Sequence, residues 1–552
     1  MQLNRYFYVL SVFFVSISNG LAVTLDAGDA GYQLPQFSHK IVPEFLNNEV
    51  SVKQVLPKIS DSLKNNQRNQ RVLVKKVRIQ GNTVLTRSAL LPIIKDYVGS
   101  TITNSQLHQM AFEITQLYIE NGYINSGVIL PDQEIENGTV IFLAIEGKLG
   151  NVYVTGNKSL GESYFVNQFK EKNSPLNLND LKSRLNEIKN NPLVESVNAE
   201  VLPSDNQALA ELKINVVEKK AYQLTTGVDN YRSPGIGAER VFLSARHGNI
   251  TGHSDLLTGQ IGITRGLKDY SLKYILPINL ISSKLSAYYV NSDAQIVEND
   301  PELKIESESS LIGFNWLLDQ RWSGKTTSSY VAGYEQLTSK TLIDGDSSVI
   351  GCGESGECES NIIIISANWD KKTNRLQQHT NFTLRKGLNS QESKRLTSVG
   401  NPNTAAFYTH WKITQSLSRG LGMFRLNSKL QYAMDSLVGS EKFSLGGVAT
   451  VRGYRENSVV RDNGFLFSSE WIQKTSFKGT FITAFVDYGV GWNKEINTDK
   501  DHLLSMGGGV AWQKMKSINT ELFVGVPLLQ RPDEFKNLQD FGIHFSLLYH
   551  II

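Results

Sequence analysis

Two short segments in the C-terminal half of this 552-residue chain carry side chains suited to a confined ion pair. The segment Val451–Tyr454 places Arg452 inside a stretch, 443–471, that interrupts an otherwise regular alternation of apolar and polar residues. The segment Phe485–Gly489 carries Asp487. A guanidinium and a carboxylate can form two parallel hydrogen bonds. In water Arg452 would be a solvated charge of little energetic weight, whereas in a closed lumen it would need this partner.

The residues next to the two charges favour a packed site. Gly453 permits a tight backbone path, and Tyr454 combines an apolar ring with one hydroxyl group. Strand periodicity places Asp487 on the same face as Phe485. The candidate site residues of the loop and the strand are Val451, Arg452, Gly453, Tyr454, Phe485, Asp487 and Gly489.

The elements that position this site alternate with period two from residue 222 onward. Segments of about ten residues, such as 424–434, are apolar on one face and polar on the other, which is the pattern of transmembrane barrel strands. About 16 strands can be placed, and short connections alternate with long ones. A soluble sandwich usually has shorter strands and gives no reason for this sorting of loops. We therefore predict a transmembrane β-barrel of about 16 antiparallel strands over 220–552, with the 443–471 loop between its eleventh and twelfth strands.

Two small α+β modules precede the predicted barrel, at 72–148 and 149–219. Each has the order β-α-α-β-β, and their openings VRIQGNTVL and VYVTGNKSL indicate tandem repetition. The predicted elements of the first module are a strand at 72–80, helices at 86–97 and 104–120, and strands at 124–130 and 139–146. Those of the second are a strand at 151–155, helices at 162–170 and 179–189, and strands at 194–202 and 208–217.

Residues 1–22 have the features of a secretory signal peptide, with Arg5 before an apolar run and small residues near Ala22. The run is too short for a membrane-spanning helix, which needs about 20 apolar residues. Residues 23–71 are predicted to be a linker that includes a helix within 44–64, although its apolar spacing is loose and Pro57 would end or kink it.

The composition excludes several classes of function. Lys plus Arg number 56 against 53 Asp plus Glu, so the net charge of +3 gives no nucleic-acid footprint. The sequence lacks the GxxxxGK[ST], HExxH and GxSxG motifs. We therefore expect neither enzymatic activity nor a cofactor or metal, and no nucleic-acid partner.

The two cysteines of the chain, Cys352 and Cys358, lie in a long loop after the seventh predicted strand. In an oxidising compartment a disulfide is the simplest interpretation, stabilising the fold by about 2 kcal/mol through chain entropy. Metal binding by the two thiols together with Glu354 and Glu357 is the alternative.

The VRGY and FVDYG motifs, on a barrel preceded by two β-α-α-β-β modules, resemble the outer-membrane transporters of two-partner secretion, within the superfamily of POTRA-bearing translocases. The resemblance covers nearly all of the chain after the signal peptide. It implies periplasmic POTRA modules that capture an unfolded exoprotein, and a VRGY loop folded into the barrel with Arg452 paired to Asp487. It further implies a plug helix near the N-terminus, within 44–64.

The function implied by the resemblance is secretion of a large partner exoprotein in extended form without nucleotide hydrolysis. Activation of that exoprotein during passage is a further role that the resemblance raises, and an outer-membrane assembly factor is the alternative. The expected partners are the exoprotein, outer-membrane lipid and, as a further class to consider, periplasmic chaperones. Cargo could add a strand to an exposed sheet edge, and our candidate edge consists of Ile124, Asn125, Ser126, Gly127, Val128 and Ile129.

Overall fold

The computed structural model describes most of the chain after residue 70. The described residues are 52–54, 71–169, 174–204, 208–278, 283–298, 304–323, 326–344, 346–347, 357–388, 400–417, 422–494, 500–514, 517–529 and 536–551. The predicted signal peptide 1–22 lies outside them. The chain forms two compact units, one with the described residues up to 221 together with 252–254, the other with 222–251 and 255–551. Among the described residues, no helix is both long and apolar enough to cross a membrane.

The first module of the smaller unit packs two helices on a three-stranded sheet. Its longer helix has buried residues at helical spacing, from Leu107 through Ile114 to Tyr118, and begins at a capping box between Thr103 and Gln106. The elements, after a strand β1 at Val52–Gln54, are β2 (Arg71–Leu73), β3 (Lys76–Gln80), α1 (Arg87–Lys95), β4 (Thr101–Thr103), α2 (Asn104–Glu120), β5 (Gly127–Ile129) and β6 (Thr139–Ile145). The predicted strand 72–80 is divided because β2 pairs with β4, whereas β3 pairs in parallel with β6.

The predicted strand 124–130 is wrong in its first half. Only Gly127–Ile129 pairs with β6, and β5 forms one edge of the sheet order β3-β6-β5. Ile124 packs instead against the hydrophobic core of the second module. The Ser126 hydroxyl accepts a hydrogen bond from the Gly147 N–H at 3.1 Å. The segment 124–126 is therefore a junction between modules and not an open strand.

The second module repeats the architecture with a larger sheet. Its elements are β7 (Lys148–Thr155), α3 (Glu162–Asn167), α4 (Leu178–Asn190), β8 (Val194–Pro203) and β9 (Leu209–Glu218). Strand β9 pairs in parallel with β7 and antiparallel with β8. Buried side chains from both helices and all three strands, including Phe165, Leu185 and Leu212, form its core.

The repeated Gly-Asn pair has the same geometry in both modules. Gly81 and Gly156 have positive φ values of 82° and 83°, and a Cβ on either would lie 2.5 Å or less from a backbone carbonyl oxygen. The Asn82 side chain donates to the carbonyl of Leu85 at 2.8 Å, and Asn157 donates to Leu160 at 3.0 Å. Glycine is needed because the close approach and the left-handed backbone both exclude a side chain.

In each module, a glutamate at the C-terminal end of the last strand closes the Gly-Asn turn. Glu146 accepts hydrogen bonds from the backbone N–H groups of Thr83 at 2.7 Å and Val84 at 3.1 Å. Glu218 accepts from the backbone N–H groups of residues 158, 159 and 160 at 2.8 to 3.1 Å. Burial opposes ionisation of both carboxyls, but these hydrogen bonds outweigh it and hold the pKa of each below its usual value.

The sheet of the second module is extended by a strand from far upstream in the chain. β1 pairs in parallel with β8, with Val52 beside Ala199, Lys53 beside Glu200 and Gln54 beside Val201. The sheet order is β1-β8-β9-β7. The prediction of a helix through 44–64 is therefore wrong at Val52–Gln54, where ladder hydrogen bonds to a neighbouring strand replace helical ones. The rest of the predicted helix lies outside the described residues.

The larger unit is a closed antiparallel barrel of sixteen strands, which confirms the predicted fold class. Strand β10 pairs with the last strand and closes it. The barrel strands are β10 (Tyr222–Asp229), β11 (Arg240–Gly248), β12 (Leu256–Ile263), β13 (Leu267–Ile278), β14 (Ser283–Gln295), β15 (Ile305–Ser323), β16 (Thr326–Ile343), β18 (Glu357–Lys372), β19 (Leu376–Gly387), β20 (Ala405–Ser416), β21 (Met423–Ala433), β24 (Asn463–Lys474), β25 (Thr480–Trp492), β26 (Asp501–Lys514), β27 (Ile518–Pro527) and β28 (Ile543–His550). Three short strands lie in the connections, namely β17 (Asp346–Ser347), β22 (Phe443–Leu445) and β23 (Val459–Arg461).

The two faces of the barrel wall differ in chemistry as the alternation predicted. Outward side chains such as Phe314, Trp316 and Ile365 are large, apolar and more than half exposed. Inward side chains such as Gln260 and Asp269 are polar and buried. An apolar outer band with a polar interior is the arrangement that a lipid bilayer requires of a barrel.

Connections after even-numbered barrel strands contain two to seven residues, whereas those after odd-numbered strands include 388–404, 434–462 and 528–542. The 434–462 connection joins β21 to β24, the eleventh and twelfth barrel strands, as predicted. Asp487 lies on β25, the thirteenth. Sequence periodicity therefore located the loop and the strand that carry the candidate site.

Candidate functional site

The long connection between β21 and β24 folds back as a hairpin. Its two short strands, β22 and β23, pair with Phe443 beside Arg461 and Leu445 beside Val459. The tip between them is fixed by local hydrogen bonds, including one from the Thr450 hydroxyl to the Gly446 carbonyl at 2.8 Å. We call residues 443–461 the lumenal hairpin because its tip carries Arg452 to the inward face of the barrel strands.

Arg452 binds both carboxylate oxygens of Asp487. Its Nε lies 2.7 Å from Oδ2 and its Nη2 lies 2.8 Å from Oδ1. The backbone N–H of Arg452 also donates to Oδ2, at 3.1 Å. The exposed fractions are 4% for Arg452 and 0% for Asp487. Such burial makes the two charges mutually dependent, because either one alone would be desolvated without compensation.

A second carboxylate and a hydroxyl complete the shell around the guanidinium. Nη1 of Arg452 donates to Glu470 Oε1 at 2.7 Å, and Nη2 donates to the Ser468 hydroxyl at 3.2 Å. That hydroxyl donates to Asp487 Oδ1 at 2.6 Å. The other oxygen of Glu470 accepts from Arg425 Nη1 at 2.9 Å. Glu470 thus bridges the loop arginine to an arginine on β21.

Two aromatic rings hold the guanidinium plane. The Cζ atom of Arg452 lies 3.7 Å from the centroid of the Phe485 ring and 5.3 Å from that of Phe523. Stacking on an aromatic face is attractive for arginine and strengthens when water is excluded. Phe485 therefore contributes through its ring face, while Asp487 contributes charge from the same side of β25.

Tyr454 anchors the hairpin through its hydroxyl group. The hydroxyl donates to the Leu504 carbonyl at 2.9 Å and accepts from the backbone N–H groups of Leu504 and Leu529 at 3.3 Å. The Tyr454 side chain is itself buried with Val451 and Leu445 in a small apolar cluster. The ring and the hydroxyl thus act on different neighbours.

The two glycines of the candidate site are positions of close approach. Gly453 has a φ of +93°, and a Cβ there would lie 2.9 Å from the backbone carbon of Gly525 on β27. A Cβ at Gly489 would meet the side chains of Leu445 and Val451 at 2.8 and 2.9 Å. The hairpin can pack against the wall only because these side chains are absent.

The base of the hairpin tip is tied to the connection that follows β27. Arg455 binds both carboxylate oxygens of Asp540 and, through Nη1, Glu298 Oε1 at 2.8 Å. The backbone N–H of Glu456 donates to Gln539 Oε1 at 2.9 Å. The Gln539 amide donates in turn to the backbone carbonyls of Asn230 and Arg232, which follow β10, at 2.6 and 2.8 Å. These contacts join the hairpin to a second long connection.

Sequence reasoning missed Ser468, Glu470 and Phe523. The pairing register of β24 with β25 could have identified two of them, because Ser468 lies beside Asp487 and Glu470 lies beside Phe485. Phe523 lies beyond β26, so only the curvature of the barrel brings it to Arg452. The Arg455–Asp540 pair likewise joins positions 85 residues apart.

The site borders a cavity of about 460 Å³ inside the barrel. Arg452 and Glu470 line it together with basic residues from both sides of the lumen. Among the described residues, seven arginine or lysine residues line this cavity against three aspartate or glutamate residues, namely Arg232, Arg240, Arg246, Lys273, Lys412, Arg425 and Arg452 against Asp229, Glu470 and Glu521. The part of the lumen that this cavity occupies is therefore polar and predominantly basic.

Among the described residues, the remaining candidates form no second site. Cys352 lies outside the described residues, and Cys358 is placed only by its backbone, which pairs with Ser339, so the disulfide stays a prediction. Across the described ranges, no group of three or more histidine, cysteine, aspartate or glutamate residues is arranged to hold a metal ion. The edge residues Gly127–Ile129 lie in the first module and are considered below.

Comparisons with known proteins agree with this architecture. The chain matches the family described as haemolysin secretion/activation protein ShlB/FhaC/HecB over residues 210–512, and the ShlB-type POTRA domain over residues 72–147. It is 24% identical over 455 residues to the heme/hemopexin transporter protein HuxB of Haemophilus influenzae, covering 76% of each chain. It is 21% identical over 471 residues to the outer membrane transporter CdiB of Escherichia coli, covering 81% of this chain and 76% of CdiB.

The fold is similar to that of a solved transporter. Superposition on CdiB from Escherichia coli gives a TM-score of 0.70 at 16% sequence identity, covering 90% of this chain and 93% of that one. Since the family match spans more than half of the sequence, the chain belongs to the ShlB/FhaC/HecB family of haemolysin secretion/activation proteins, outer-membrane β-barrel transporters of two-partner secretion whose POTRA domains lie in the periplasm.

Proposed function

We propose that this chain secretes one large partner exoprotein across the outer membrane in extended form, without nucleotide hydrolysis. The observation that carries the proposal is the lumenal hairpin, held inside the barrel by the buried Arg452–Asp487 pair. A barrel built only for diffusion has no need of an internal element fixed by desolvated charges. An internal hairpin that can be released would instead gate a wider passage.

The polar lumen supports passage of an unfolded chain. An extended polypeptide exposes backbone N–H and C=O groups that must stay hydrated or hydrogen-bonded. The wall of the cavity offers them charged and polar partners on several strands. A folded domain would not fit a cavity of about 460 Å³. Widening by movement of the hairpin is therefore part of the proposal.

The energy source follows from what the sequence lacks. No nucleotide-binding motif is present in the sequence, and we propose that folding of the exoprotein outside the cell drives its passage. The description of the matched family, haemolysin secretion/activation protein, points to an exported protein as the class of cargo. A large exported protein, with or without activation during passage, is the cargo that we propose here.

The candidate site residues have distinct roles in this proposal. Arg452 and Asp487 form the latch of the hairpin, and Phe485 and Tyr454 orient it. Val451, Gly453 and Gly489 provide the close packing that holds it to the wall. In the first POTRA module, the exposed Ile129 next to the exposed Leu143 on β6 gives a short apolar contact surface for cargo.

The experiment is to delete the gene for this chain and follow two classes of protein. Large secreted proteins encoded near the gene are the candidate cargo, and their release into the medium is measured by immunoblot. Loss of one such protein, with normal levels of other outer-membrane proteins, is the expected result. Broad loss of outer-membrane proteins would instead identify an assembly factor.

A further inference from the structure

The lumenal hairpin is held to the barrel wall next to its base as well as at its tip. We call residues 439–442, which lead into the hairpin, the stem. Arg385 on β19 binds both carboxylate oxygens of Glu441 in the stem, with Nε 2.8 Å from Oε2 and Nη2 2.9 Å from Oε1. The exposed fractions of the two side chains are 4% and 10%. A second arginine therefore makes a buried two-point contact with the connection that carries Arg452.

Arg385 also binds a carboxylate of the barrel wall. Its Nη2 lies 2.7 Å from Oε2 of Glu335 on β16, whose side chain is as deeply buried as that of Arg385. Glu335 further accepts a hydrogen bond from the Tyr288 hydroxyl of β14. Tyr288 reaches it across β15 because the residue between them in the register is Gly313, where a Cβ would collide with the tyrosine ring. Glu335 is thus fixed in the wall independently of the stem.

The tip and the stem differ in what they leave behind when the hairpin moves. Separation of Arg452 from the wall leaves the Asp487 carboxylate buried without its cation. Separation of Glu441 from Arg385 leaves the guanidinium paired with Glu335. Breaking a buried ion pair is unfavourable mainly because one charge stays buried and uncompensated. The stem contact therefore opens at a lower free-energy cost than the tip contact.

The other contacts that hold the stem are neutral. The Gln431 amide donates to the backbone carbonyl of Glu441 at 2.9 Å and to that of Asp462, on the far side of the hairpin, at 3.0 Å. The Tyr408 hydroxyl donates to the same Glu441 carbonyl at 3.4 Å. Hydrogen bonds between neutral groups are roughly half as strong as charged ones. The contact between Arg385 and the Glu441 carboxylate is therefore the main restraint on the stem among the described residues.

We propose that Arg385, Glu335 and Glu441 form a releasable latch on the stem, in which Glu441 is the carboxylate that leaves and Glu335 is the one that stays. This inference rests on the secretion function proposed above. When the passage opens, Glu441 separates from Arg385 and becomes hydrated in the lumen. Glu335 acts as a positioning residue, because it keeps the guanidinium compensated in the wall and so makes the release of Glu441 easier.

Two substitutions at the same guanidinium have opposite expected effects. The measurement is the frequency of channel opening of the purified full-length chain in planar bilayers. Glu441→Gln removes the charge that leaves and should raise this frequency at least about tenfold, which corresponds to the loss of one charged hydrogen bond. In Glu335→Gln, opening would leave Arg385 buried without a carboxylate, so the frequency should fall at least about tenfold.

Each variant is the matched control of the other, because each replaces one carboxylate of the same arginine by an amide of the same shape. Only the folded barrel, identified by its heat-modifiable migration, is compared. A purely structural role would change the opening frequency in the same direction for both variants. Any result other than opposite shifts would overturn the inference. A parent chain that releases no exoprotein from cells would instead count against the secretion function, which these recordings do not measure.

A labelling measurement covers the case in which a glutamine variant inserts poorly. Ser440, next to Glu441, is buried in the stem. In a chain with Cys352 and Cys358 replaced by serine, Ser440→Cys reports opening of the stem through its rate of reaction with a maleimide in intact outer membranes. Glu441→Asp and Glu335→Asp keep both charges and shorten the reach of one carboxylate. The labelling rate should rise in the first and fall in the second, and any other pair of changes would overturn the inference.

Discussion

The side chain of Arg452 and the carboxylate of Asp487 form a two-point contact inside the barrel, with Nε and Nη2 at 2.7 and 2.8 Å from the two oxygens. The two residues are 35 positions apart, one on the lumenal hairpin and one on β25. Their contact fixes the hairpin tip against the wall. It is also the contact whose removal should separate folding from secretion.

Arg452→Ala should impair secretion far more than it impairs barrel insertion, because a hairpin without its latch no longer holds one defined position in the lumen. Removing the guanidinium leaves the carboxylates of Asp487 and Glu470 buried without their partner. Breaking a buried ion pair in this way destabilises the folded state by about 3–5 kcal/mol. The lost stabilisation affects the position of the lumenal hairpin, whereas the hydrogen bonds between the barrel strands remain. Exoprotein release and the amount of heat-modifiable barrel in outer membranes are the two readouts. Arg452→Lys is the matched control, because lysine keeps the positive charge but lacks the planar guanidinium that binds both oxygens of Asp487. Equal loss of insertion and secretion would show that the hairpin is a folding element.

Glu470→Gln should give a milder defect than Arg452→Ala. The amide keeps the shape of Glu470 but removes the charge that joins Arg452 to Arg425, while the Asp487 contact remains. A hydrogen bond to a charged group contributes about 1.5–3 kcal/mol, so partial release of the hairpin is expected. Single-channel recordings should show more frequent open events than in the parent. A closed-state lifetime equal to the parent's would indicate that Asp487 alone holds the latch.

Gly525→Ala should disturb the hairpin without touching any charge. A Cβ at position 525 would lie 2.6 Å from the backbone nitrogen of Gly453, so the hairpin or β27 must shift. Gly259→Ala on β12 is the matched control, because its Cβ would meet neighbours only at 3.7 Å and beyond. Protease accessibility of the 443–461 segment in intact outer membranes should rise for the first variant only. The same accessibility in both would contradict the close packing of Gly453 on Gly525.

The two turn-closing glutamates, Glu146 and Glu218, should make the turns of the two α+β modules sensitive to acid. The pKa of Glu146 and of Glu218 is held below the usual value of 4.5 in the folded modules. Their stabilisation is therefore complete above about pH 4.5 and is lost as the pH falls through the lower folded values. The protection of the backbone N–H groups at 83–84 and 158–160, measured as their hydrogen exchange relative to the intrinsic rate at each pH, should fall as the pH drops below about 4.5. In Glu146→Gln only the first turn should lose this pH dependence, with the second as an internal control.

The sequence alone determined the class of fold and the order of its parts. Period-two alternation and the sorting of connection lengths gave the sixteen-stranded barrel, because side chains must face lipid and lumen in turn. The repeated Gly-Asn pairs located the two modules, because a positive φ next to a carbonyl oxygen admits only glycine. The inward face of β25 was also readable, which singled out Asp487 as a partner for Arg452.

Only the tertiary structure decided which distant residues complete the site and which sheet edges are covered. Phe523 and Asp540 reach the lumenal hairpin through the curvature of the closed barrel, which no local pattern encodes. Likewise, Val52–Gln54 has too few residues for its periodicity to distinguish a strand from the predicted helix, and the neighbouring edge of β8 supplies the hydrogen bonds that make it a strand. Local preferences are weak for such short segments, so the conformation follows the partner that the fold provides.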